Sequence, residues 1–192
     1  GAMLSVSSAV RRIDDYTSNR IYFDGARWIF TPANEDRALM RSIDLESKFP
    51  LKSVWAGAPA IDLRASVSRN WSRVDSVPGP GNRMEQQVPL SANAGIDYKS
   101  GALTTGGSVA YRRGGRVQVA AERGFYRASR SELDAYALWA FSPNTQLRVA
   151  LADTLGDNVF GPDYTDPARG VETRRWRYPG GVRVRSTLEM KF

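Results

Sequence analysis

The chain has 192 residues, and its 27 lysines and arginines against 20 aspartates and glutamates give a formal net charge of +7. It has no cysteine and no histidine, which excludes disulfides, thiolate nucleophiles, Cys/His zinc sites and every Ser-His-Asp arrangement. No apolar run is long enough for a membrane-spanning helix, but a transmembrane β-barrel exposes only alternate residues to lipid and is not excluded.

Residues 4–192 are predicted to form one domain. The residues before them, Gly1-Ala2-Met3, are typical of the scar that protease cleavage leaves before a cloned insert, and no signal peptide follows. We therefore expect the natural start of the protein to have been removed. The rest is either a mature protein or a piece of a larger one.

Apolar and polar residues alternate with a period of two in eight segments, which predicts eight strands. In chain order the segments are residues 4–11, 43–49, 61–72, 88–99, 103–111, 132–141, 146–151 and 181–192. The last one is the clearest, because an apolar series from Val182 to Phe192 alternates with a mostly charged series from Arg183 to Lys191.

The connections between these segments differ in length. Short turns are predicted near 100–102 and 142–145 and a medium one at 51–59, whereas long polar loops are predicted near 14–37, 75–86, 113–130 and 156–177. Residues 21–23 and 28–30, on either side of Gly25, fit a small hairpin inside the first long loop. Short turns on one side and long loops on the other are the arrangement of bacterial outer-membrane barrels.

A soluble β-sandwich or a lipocalin-like barrel has the same alternation, so other features must decide. The polar face carries mostly small or charged residues, as a water-filled or salt-bridged lumen requires. Aromatic residues fall near strand ends, where they fit membrane interfaces: Tyr98, Trp139, Phe141 and the terminal Phe192 with the short-turn side, Trp71 and Tyr111 with the long-loop side. We therefore expect an all-β, antiparallel, up-and-down transmembrane β-barrel in a bacterial outer membrane, closed by this chain or by an oligomer.

Three segments resemble the barrel of TonB-dependent receptors. They run from Trp28-Ile-Phe-Thr-Pro-Ala-Asn34 through Ala38 to Ile43-Asp-Leu-Glu-Ser-Lys48, from Leu133 to Trp139, and from Gln146 to Asp157. In that family an Asn and an Ala precede Gly-(Ile/Val)-Glu-Leu-Glu, and here Ser42 and Asp44 replace the Gly and the first Glu. Asp153 stands where the family usually has Asn, and the terminal Phe192 agrees.

The resemblance covers nearly the whole chain and implies the last eight strands of a larger Gram-negative receptor barrel. It implies transport of ferric siderophores or similar nutrients, with the plug and the TonB-binding segment in the full-length protein. The implied partners are outer-membrane lipid, lipopolysaccharide, the barrel-assembly machinery through Phe192, and TonB only for the full-length protein. The alternative is an autonomous eight-stranded barrel with a structural, adhesive or ligand-binding role.

Five arginines on predicted polar faces are the candidate ligand-binding residues: Arg64, Arg112, Arg148, Arg183 and Arg185. Such a set can bind an anionic ligand through bidentate contacts. The competing interpretation is a ladder of ion pairs with Asp62, Asp97, Asp134 and Glu189. In a narrow eight-stranded interior we favour the ladder, because buried charges must be paired.

Further basic residues cluster in the predicted loops. These are Arg112, Arg113, Arg116, Arg123, Arg127 and Arg130 in one loop, and Arg174, Arg175 and Arg177 around Trp176 in another. They fit lipopolysaccharide phosphates or, through the interleaved aromatic, nucleic acid. We favour plain solvated extracellular loops and expect no nucleic-acid partner.

Two pairs of neighbouring acids, Asp14-Asp15 and Glu35-Asp36, are the only hint of carboxylate catalysis. Glycosidase chemistry needs two carboxylates at a set separation around a cleft, which adjacent loop residues do not predict. We expect no catalytic residues, no metal site and no cofactor, and hence no enzyme.

Overall fold

A computed structural model describes residues 1–34, 37–166 and 168–191, with only the backbone described for Arg20 and Thr154. Within these residues the secondary structure is fifteen β-strands and a single-turn 3-10 helix, Leu51–Ser53. The strands are β1 Met3–Ile13, β2 Thr17–Phe23, β3 Trp28–Asn34, β4 Ala38–Pro50, β5 Ile61–Val74, β6 Leu90–Ser100, β7 Leu103–Arg112, β8 Gly115–Ala120, β9 Arg123–Arg127, β10 Arg130–Ser142, β11 Thr145–Leu155, β12 Asn158–Asp166, β13 Gly170–Thr173, β14 Trp176–Tyr178 and β15 Val182–Met190.

The eight segments with alternating apolar and polar residues form one antiparallel sheet, in the order β1-β4-β5-β6-β7-β10-β11-β15. This long sheet is an up-and-down meander, because each strand pairs with the next long strand along the chain. The all-β fold and the eight predicted strands are confirmed. The predicted small hairpin is also confirmed, since β2 pairs with β3 through the register Tyr22 opposite Ile29.

The connections segregate to the two ends of the long sheet as predicted. At the short-turn end, Gly101 adopts a left-handed φ of 55°, which suits the tight turn between β6 and β7. At the same end the β10–β11 turn closes with Ser142 opposite Thr145. Four connections lie at the long-loop end. Those from β1 to β4, from β7 to β10 and from β11 to β15 contain further strands, and the fourth joins β5 to β6.

Two of the predicted polar loops are not loops. The segments at 113–130 and 156–177 contain β8, β9 and most of β12, β13 and β14, which form a second antiparallel sheet in the order β13-β12-β9-β8, with β14 also pairing with β12. We call this second sheet, together with the β2–β3 hairpin, the cap. The loop prediction was wrong because these strands are short and rich in arginine and glycine, so their alternation does not stand out.

The buried apolar residues lie mostly at the long-loop end. Ala38, Val74 and Val77 form a small core there, and Ile13, Tyr16 and Met84 pack against it. Most of the other buried apolar side chains belong to cap strands β2 and β8. The packed interior of the described chain is therefore in and under the cap and not along the length of the long sheet.

The long sheet is open. Over the residues that the structure describes, β1 and β15 are its two edges and do not pair with each other. We expected closure by this chain or by an oligomer, and closure by this chain is not observed. An eight-stranded barrel has an interior just wide enough to be filled by side chains, whereas the polar face of this sheet lines a cleft of about 820 Å³.

Candidate functional site: the two faces of the long sheet

One face of the long sheet is apolar and uncovered across its width. Directly paired residues on this face include Val6 with Leu45, and Leu45 with Val67. Its aliphatic side chains are 37% to 72% exposed, and they include Leu4, Val6, Val10, Ile43, Leu45, Val67, Ile96, Val109, Leu133, Val149, Leu151, Val182, Val184 and Leu188. Soluble monomeric proteins rarely leave such a large apolar surface uncovered.

Predicted interface aromatics lie at both ends of this apolar face. Near the short turns, Trp139 and Phe141 stack with ring centroids 6.3 Å apart and are 53% and 60% exposed. Tyr98 lies at the same end, opposite Ile61. Near the long loops, Trp71 packs beneath the Arg69 guanidinium, 5.3 Å from the ring centroid.

Two of the predicted interface aromatics remain, Tyr111 and Phe192. Tyr111 lies toward the long-loop end, opposite Ser131, and Phe192 lies outside the described residues. Sequence reasoning missed Val54 and Trp55, which are 78% and 62% exposed beside the 3-10 helix at the short-turn end. The sequence signal that could have identified them is an apolar residue followed by a Trp in a connection between two strands.

The other face of the long sheet is polar, and Asp97 is the centre of its main hydrogen-bond network. Arg64 forms an ion pair with the Asp97 carboxylate. The hydroxyl of Tyr136 donates a hydrogen bond of 2.7 Å to Asp97 Oδ1. Arg148 lies over the Tyr136 ring, 4.9 Å from the centroid. The network therefore links four strands, β5, β6, β10 and β11.

Two glycines let these large side chains lie flat on the sheet. Arg64 is directly opposite Gly95, where a Cβ would meet the arginine Nε at 2.6 Å. Tyr136 is directly opposite Gly106, where a Cβ would meet the tyrosine ring at 2.8 Å and the backbone carbonyl of Ile96 at 2.6 Å. The absence of a side chain at both positions is what allows Arg64 and Tyr136 to reach Asp97.

A cleft of about 820 Å³ runs along the polar face beside this network. Arg148, Arg183 and Arg185 line it together with Asp134 and Tyr136. The two β15 arginines lie opposite the small residues Ala152 and Ala150, which leaves space above the sheet. The lining thus carries more positive than negative charge, as a site for an anionic group requires.

Four of the five predicted arginines, namely Arg64, Arg148, Arg183 and Arg185, line this same cleft. Arg112 does not, because it lies at the long-loop end of β7, opposite Arg130. Of the expected ion-pair ladder, the described residues include the Arg64–Asp97 pair. The Glu189 carboxylate accepts a hydrogen bond from the Gln146 amide. Tyr136, the residue that joins Asp97 to Arg148, was missed because a tyrosine on a polar face carries no charge signal.

In the cap, a buried carboxylate binds two of the basic residues that we expected in solvated loops. Arg175 Nη2 lies 2.6 Å from Asp163 Oδ1, and Thr173 donates a hydrogen bond of 3.1 Å to the same oxygen. Arg116 Nε lies 2.9 Å from Oδ2, off the hydrogen-bonding direction, as an ionic contact. The Asp163 side chain is 6% exposed and the Arg175 side chain 25%, so the solvated-loop prediction is wrong for Arg175, whereas the Arg116 side chain is 66% exposed, as that prediction expects.

Arg123 joins the second sheet of the cap to the β2–β3 hairpin and to the connection between β5 and β6. Its guanidinium makes two hydrogen bonds to the Glu85 carboxylate, at 2.8 Å and 3.3 Å, and one of 3.5 Å to the carbonyl of Asn19. It also lies 5.4 Å from the centroid of the Phe30 ring. Arg123 is 8% exposed, which again contradicts the solvated-loop prediction. Its partners lie far away in sequence, which local pattern reasoning could not anticipate.

Two further basic residues of the predicted loops lie nearer the surface. Arg130, the first residue of β10, pairs with Glu132 at 2.7 Å, and Arg174, in the cap, pairs with Glu172 at 2.7 Å. The hydrogen bond and charge of Glu172 raise the pKa of the Arg174 guanidinium. Such exposed pairs contribute little to stability. The exposure of these residues agrees with the prediction of a solvated surface.

Arginines crowd the long-loop end around Arg83. Burial, together with the nearby charges of Arg113 and Arg69, lowers the pKa of the Arg83 guanidinium. The side chain still donates a hydrogen bond of 2.9 Å to the carbonyl of Arg116. The positive charge predicted for these loops is therefore concentrated where the cap meets the long sheet.

In the described part of the chain, no group of three or more acidic residues, histidines or cysteines is placed to hold a metal ion. Nor does the chain, over those residues, contain a helix long and apolar enough to cross a membrane. No protein-family model, curated protein or solved structure matches the chain. Its function is therefore inferred from the two faces of the long sheet and from the cap.

Proposed function

We propose that the long sheet is the membrane-spanning wall of an outer-membrane β-barrel, with its apolar face toward lipid and its polar face toward an aqueous lumen. The observation that carries this proposal is the uncovered apolar face, whose aliphatic side chains, such as Val6 and Val184, are about 70% exposed. In lipid, this face would be in its preferred solvent. The polar Asp97 network on the opposite face would line the lumen.

The dimensions of the long sheet support this proposal. Its strands have between 9 residues, in β15, and 14 residues, in β5. A tilted transmembrane strand needs about 9–11 residues. The exposed aromatics at both ends of the apolar face, Trp139 and Trp71 among them, suit the two membrane interfaces.

The two free edges support a barrel with further strands. Lipid offers no hydrogen-bond partner for the backbone of β1 or β15, so a membrane-embedded sheet must close. We propose that these edges pair with other strands of a larger receptor barrel, as the resemblance to TonB-dependent receptors implies. The function would then be uptake of a ferric siderophore or a similar nutrient across the bacterial outer membrane, coupled to TonB in the full-length protein.

An autonomous small barrel is the second candidate, and the cap favours it. The long connections of this chain pack against one another: Arg123 of β9 contacts Glu85, Asn19 and Phe30. A self-contained cap suits an adhesive or ligand-binding role at the cell surface. Whether β1 and β15 pair with each other or with further strands distinguishes this candidate from the receptor.

A matched pair of substitutions on β5 tests the proposed orientation. Val67 is 41% exposed on the apolar face, whereas Ser66, its neighbour, lies on the polar face opposite Glu46. In a bilayer we expect Val67→Arg to lower the free energy of unfolding by about 2–4 kcal/mol, the cost of an arginine near the midplane. Ser66→Arg should be tolerated, since Glu46 can pair with it.

The measurement is equilibrium unfolding of the lipid-inserted protein, alongside the yield of protein assembled in the outer membrane. Equal loss in both variants would contradict the assigned facing. A chain that remains monomeric and folded in plain buffer without detergent would contradict the membrane proposal itself.

A further inference from the structure

Two arginines lie on the apolar face of the long sheet, near its long-loop end. Arg69 of β5 is directly opposite Ile43 of β4, and Arg41 of β4 is directly opposite Trp71 of β5. Directly paired residues have their side chains on the same face, and Ile43 and Trp71 belong to the exposed apolar face. Arg41 and Arg69 are diagonal neighbours, a relation that separates two residues by about 7–8 Å.

Two further arginines lie beside them. Arg113 follows β7, and its backbone N–H donates a hydrogen bond of 2.8 Å to the carbonyl of Leu90, which is directly opposite Arg69. Arg83 lies in the connection between β5 and β6, where burial and then the charges of Arg113 and Arg69 lower the pKa of its guanidinium. We call these four residues, Arg41, Arg69, Arg83 and Arg113, the arginine cluster.

The charge of the arginine cluster is not balanced by carboxylates in the part of the chain that the structure describes. None of its four arginines forms an ion pair there. Among the neighbouring carboxylates, Asp75 pairs with Arg73, and Glu85 is bound by Arg123. Like charges held close together repel one another, more so when they are partly buried. A bound anion would relieve this repulsion.

The surface next to the arginine cluster is apolar, which restricts the kind of anion. Below the two charged positions, Ile43 and Leu45 of β4 are 49% and 44% exposed. Trp71 joins the charged and the apolar parts, because it is opposite Arg41 and under the Arg69 guanidinium, which lies 5.3 Å from the ring centroid. A ligand that covers both parts therefore has an anionic head and an apolar chain.

We propose that the arginine cluster binds the phosphate monoester headgroup of a membrane lipid, whose acyl chains lie along the apolar face. Arginine forms paired, charge-assisted hydrogen bonds with phosphate oxygens. A phosphate monoester carries about 1.5 to 2 negative charges at neutral pH, so it neutralises more of the cluster than a phosphodiester or a carboxylate does. Inorganic phosphate would bind the arginines but would leave the apolar surface beside them uncovered.

This inference rests on the proposed function, because it requires the apolar face to lie in a bilayer. It adds a specific lipid contact to that function, on strands β4 and β5 and at the end of β7. The other strands of the sheet, β15 among them, should show no preference for one phospholipid beyond the general attraction of a basic protein for anionic lipid.

The test measures lipid preference at one position beside the arginine cluster. Leu45→Cys introduces a single thiol into a chain without cysteine, and a fluorophore on that thiol is quenched by lipids with a nitroxide on the acyl chain. The full chain is inserted in phosphatidylcholine vesicles that contain nitroxide-labelled phosphatidic acid or, at the same mole fraction, nitroxide-labelled phosphatidylcholine. We expect phosphatidic acid to quench about fivefold more strongly at position 45. At Val182→Cys, exposed on the apolar face of the far edge strand β15, the ratio should be close to one.

Two substitutions that remove the same charge separate the cluster from the rest of the protein. In the Leu45→Cys background, Arg69→Gln should lower the quenching ratio about two- to fivefold, the effect of one arginine near a lipid headgroup. Arg11→Gln is the matched control, because Arg11 lies on the polar face of β1, opposite Met40, and should leave the ratio unchanged. Quenching by phosphatidylcholine verifies that each variant is inserted. Millimolar inorganic phosphate in the buffer should not change the ratio.

A ratio at position 45 no higher than the ratio at position 182 would overturn the inference, and so would equal effects of Arg69→Gln and Arg11→Gln. Strong quenching by both lipids in those cases would leave the membrane proposal standing. Loss of the preference on addition of inorganic phosphate would show that the cluster binds a free anion, which also overturns the inference. Absence of quenching by either lipid would instead contradict the membrane proposal.

Discussion

Gly106 shows how one missing side chain shapes the polar face. The Tyr136 ring lies across this glycine and reaches Asp97 with its hydroxyl, at 2.7 Å. A Cβ at position 106 would collide with the tyrosine ring and also with the carbonyl of Ile96, at 2.8 Å and 2.6 Å. The second collision involves backbone, so a change of rotamer cannot relieve it.

We therefore expect Gly106→Ala to lower the free energy of unfolding by about 1–3 kcal/mol, the usual cost of overpacking. Equilibrium denaturation of the lipid-inserted protein measures it. Gly181→Ala is the matched control, because a Cβ there has nothing within 4 Å. A Gly106→Ala variant as stable as that control would show that the Tyr136–Gly106 contact does not exist.

Asp24 controls the turn of the β2–β3 hairpin in a pH-dependent way. Its carboxylate accepts the backbone N–H groups of Arg27, at 2.8 Å, and Ala26, at 2.9 Å. These bonds, that of Arg27 first, lower the pKa of Asp24 below its ordinary value. Because the folded pKa is below the unfolded one, the turn is stabilised above the unfolded value, and that stabilisation is lost as the pH falls through the folded pKa.

An NMR titration checks this. We expect the Asp24 carboxyl to titrate below the unperturbed value of about 3.9, with the amide shifts of Ala26 and Arg27 following the same curve. Asp24→Asn should abolish that titration of the two amides. A carboxyl that titrates at or above the unperturbed value would refute the turn geometry.

At the scale of elements, the eight long strands could be predicted because one face of each is apolar and the other polar. In β15 the alternation of Val184 with Arg183 and Arg185 identifies the strand without any tertiary information. The cap strands could not be predicted in this way. β14 has only three residues, and the burial of Arg123 depends on Glu85, a partner contributed by another connection.

The arginine-lined cleft on the polar face was predictable only in part, for a related reason. The period of two determines which face of the sheet each side chain is on. Four arginines could therefore be assigned to one face: Arg64, Arg148, Arg183 and Arg185. Which of them share a cleft depends on strand order and register, which are non-local. Arg112 has the same facing but lies opposite Arg130 at the far end of β7.

The edge strands β1 and β15 distinguish the two candidate functions. In a larger receptor barrel each edge pairs with other strands, whereas in an autonomous barrel the two edges meet. The chain has no cysteine, so thiols introduced by Ser7→Cys and Thr187→Cys can be cross-linked without interference. In the protein assembled in its native membrane, we expect a short bifunctional maleimide to give no intramolecular β1–β15 link.

Each single-cysteine variant is the control for cross-linking between different molecules. A fast intramolecular link in the double variant would reject the receptor proposal and favour the autonomous barrel, because thiols on neighbouring strands lie within reach of such a reagent.

At the scale of the whole molecule, burial is distributed in the opposite way to that of a soluble sheet protein. The small core of Ala38, Val74 and Val77 lies at the long-loop end, and the cap holds buried charged groups such as Arg123 and Asp163. The long sheet, in contrast, has an uncovered apolar face and a polar face with an ion-pair network. This distribution is expected where lipid, and not a second protein layer, covers the apolar face.

The most direct test of this account is the depth of neighbouring β5 residues in a bilayer. Val67→Cys and Ser66→Cys each place one thiol in a chain without cysteine, and an environment-sensitive fluorophore on that thiol reports contact with nitroxide-labelled lipid chains. The account predicts strong quenching at position 67, on the apolar face, and little at position 66, on the polar face. Equal quenching at both positions, or stronger quenching at position 66, would contradict it.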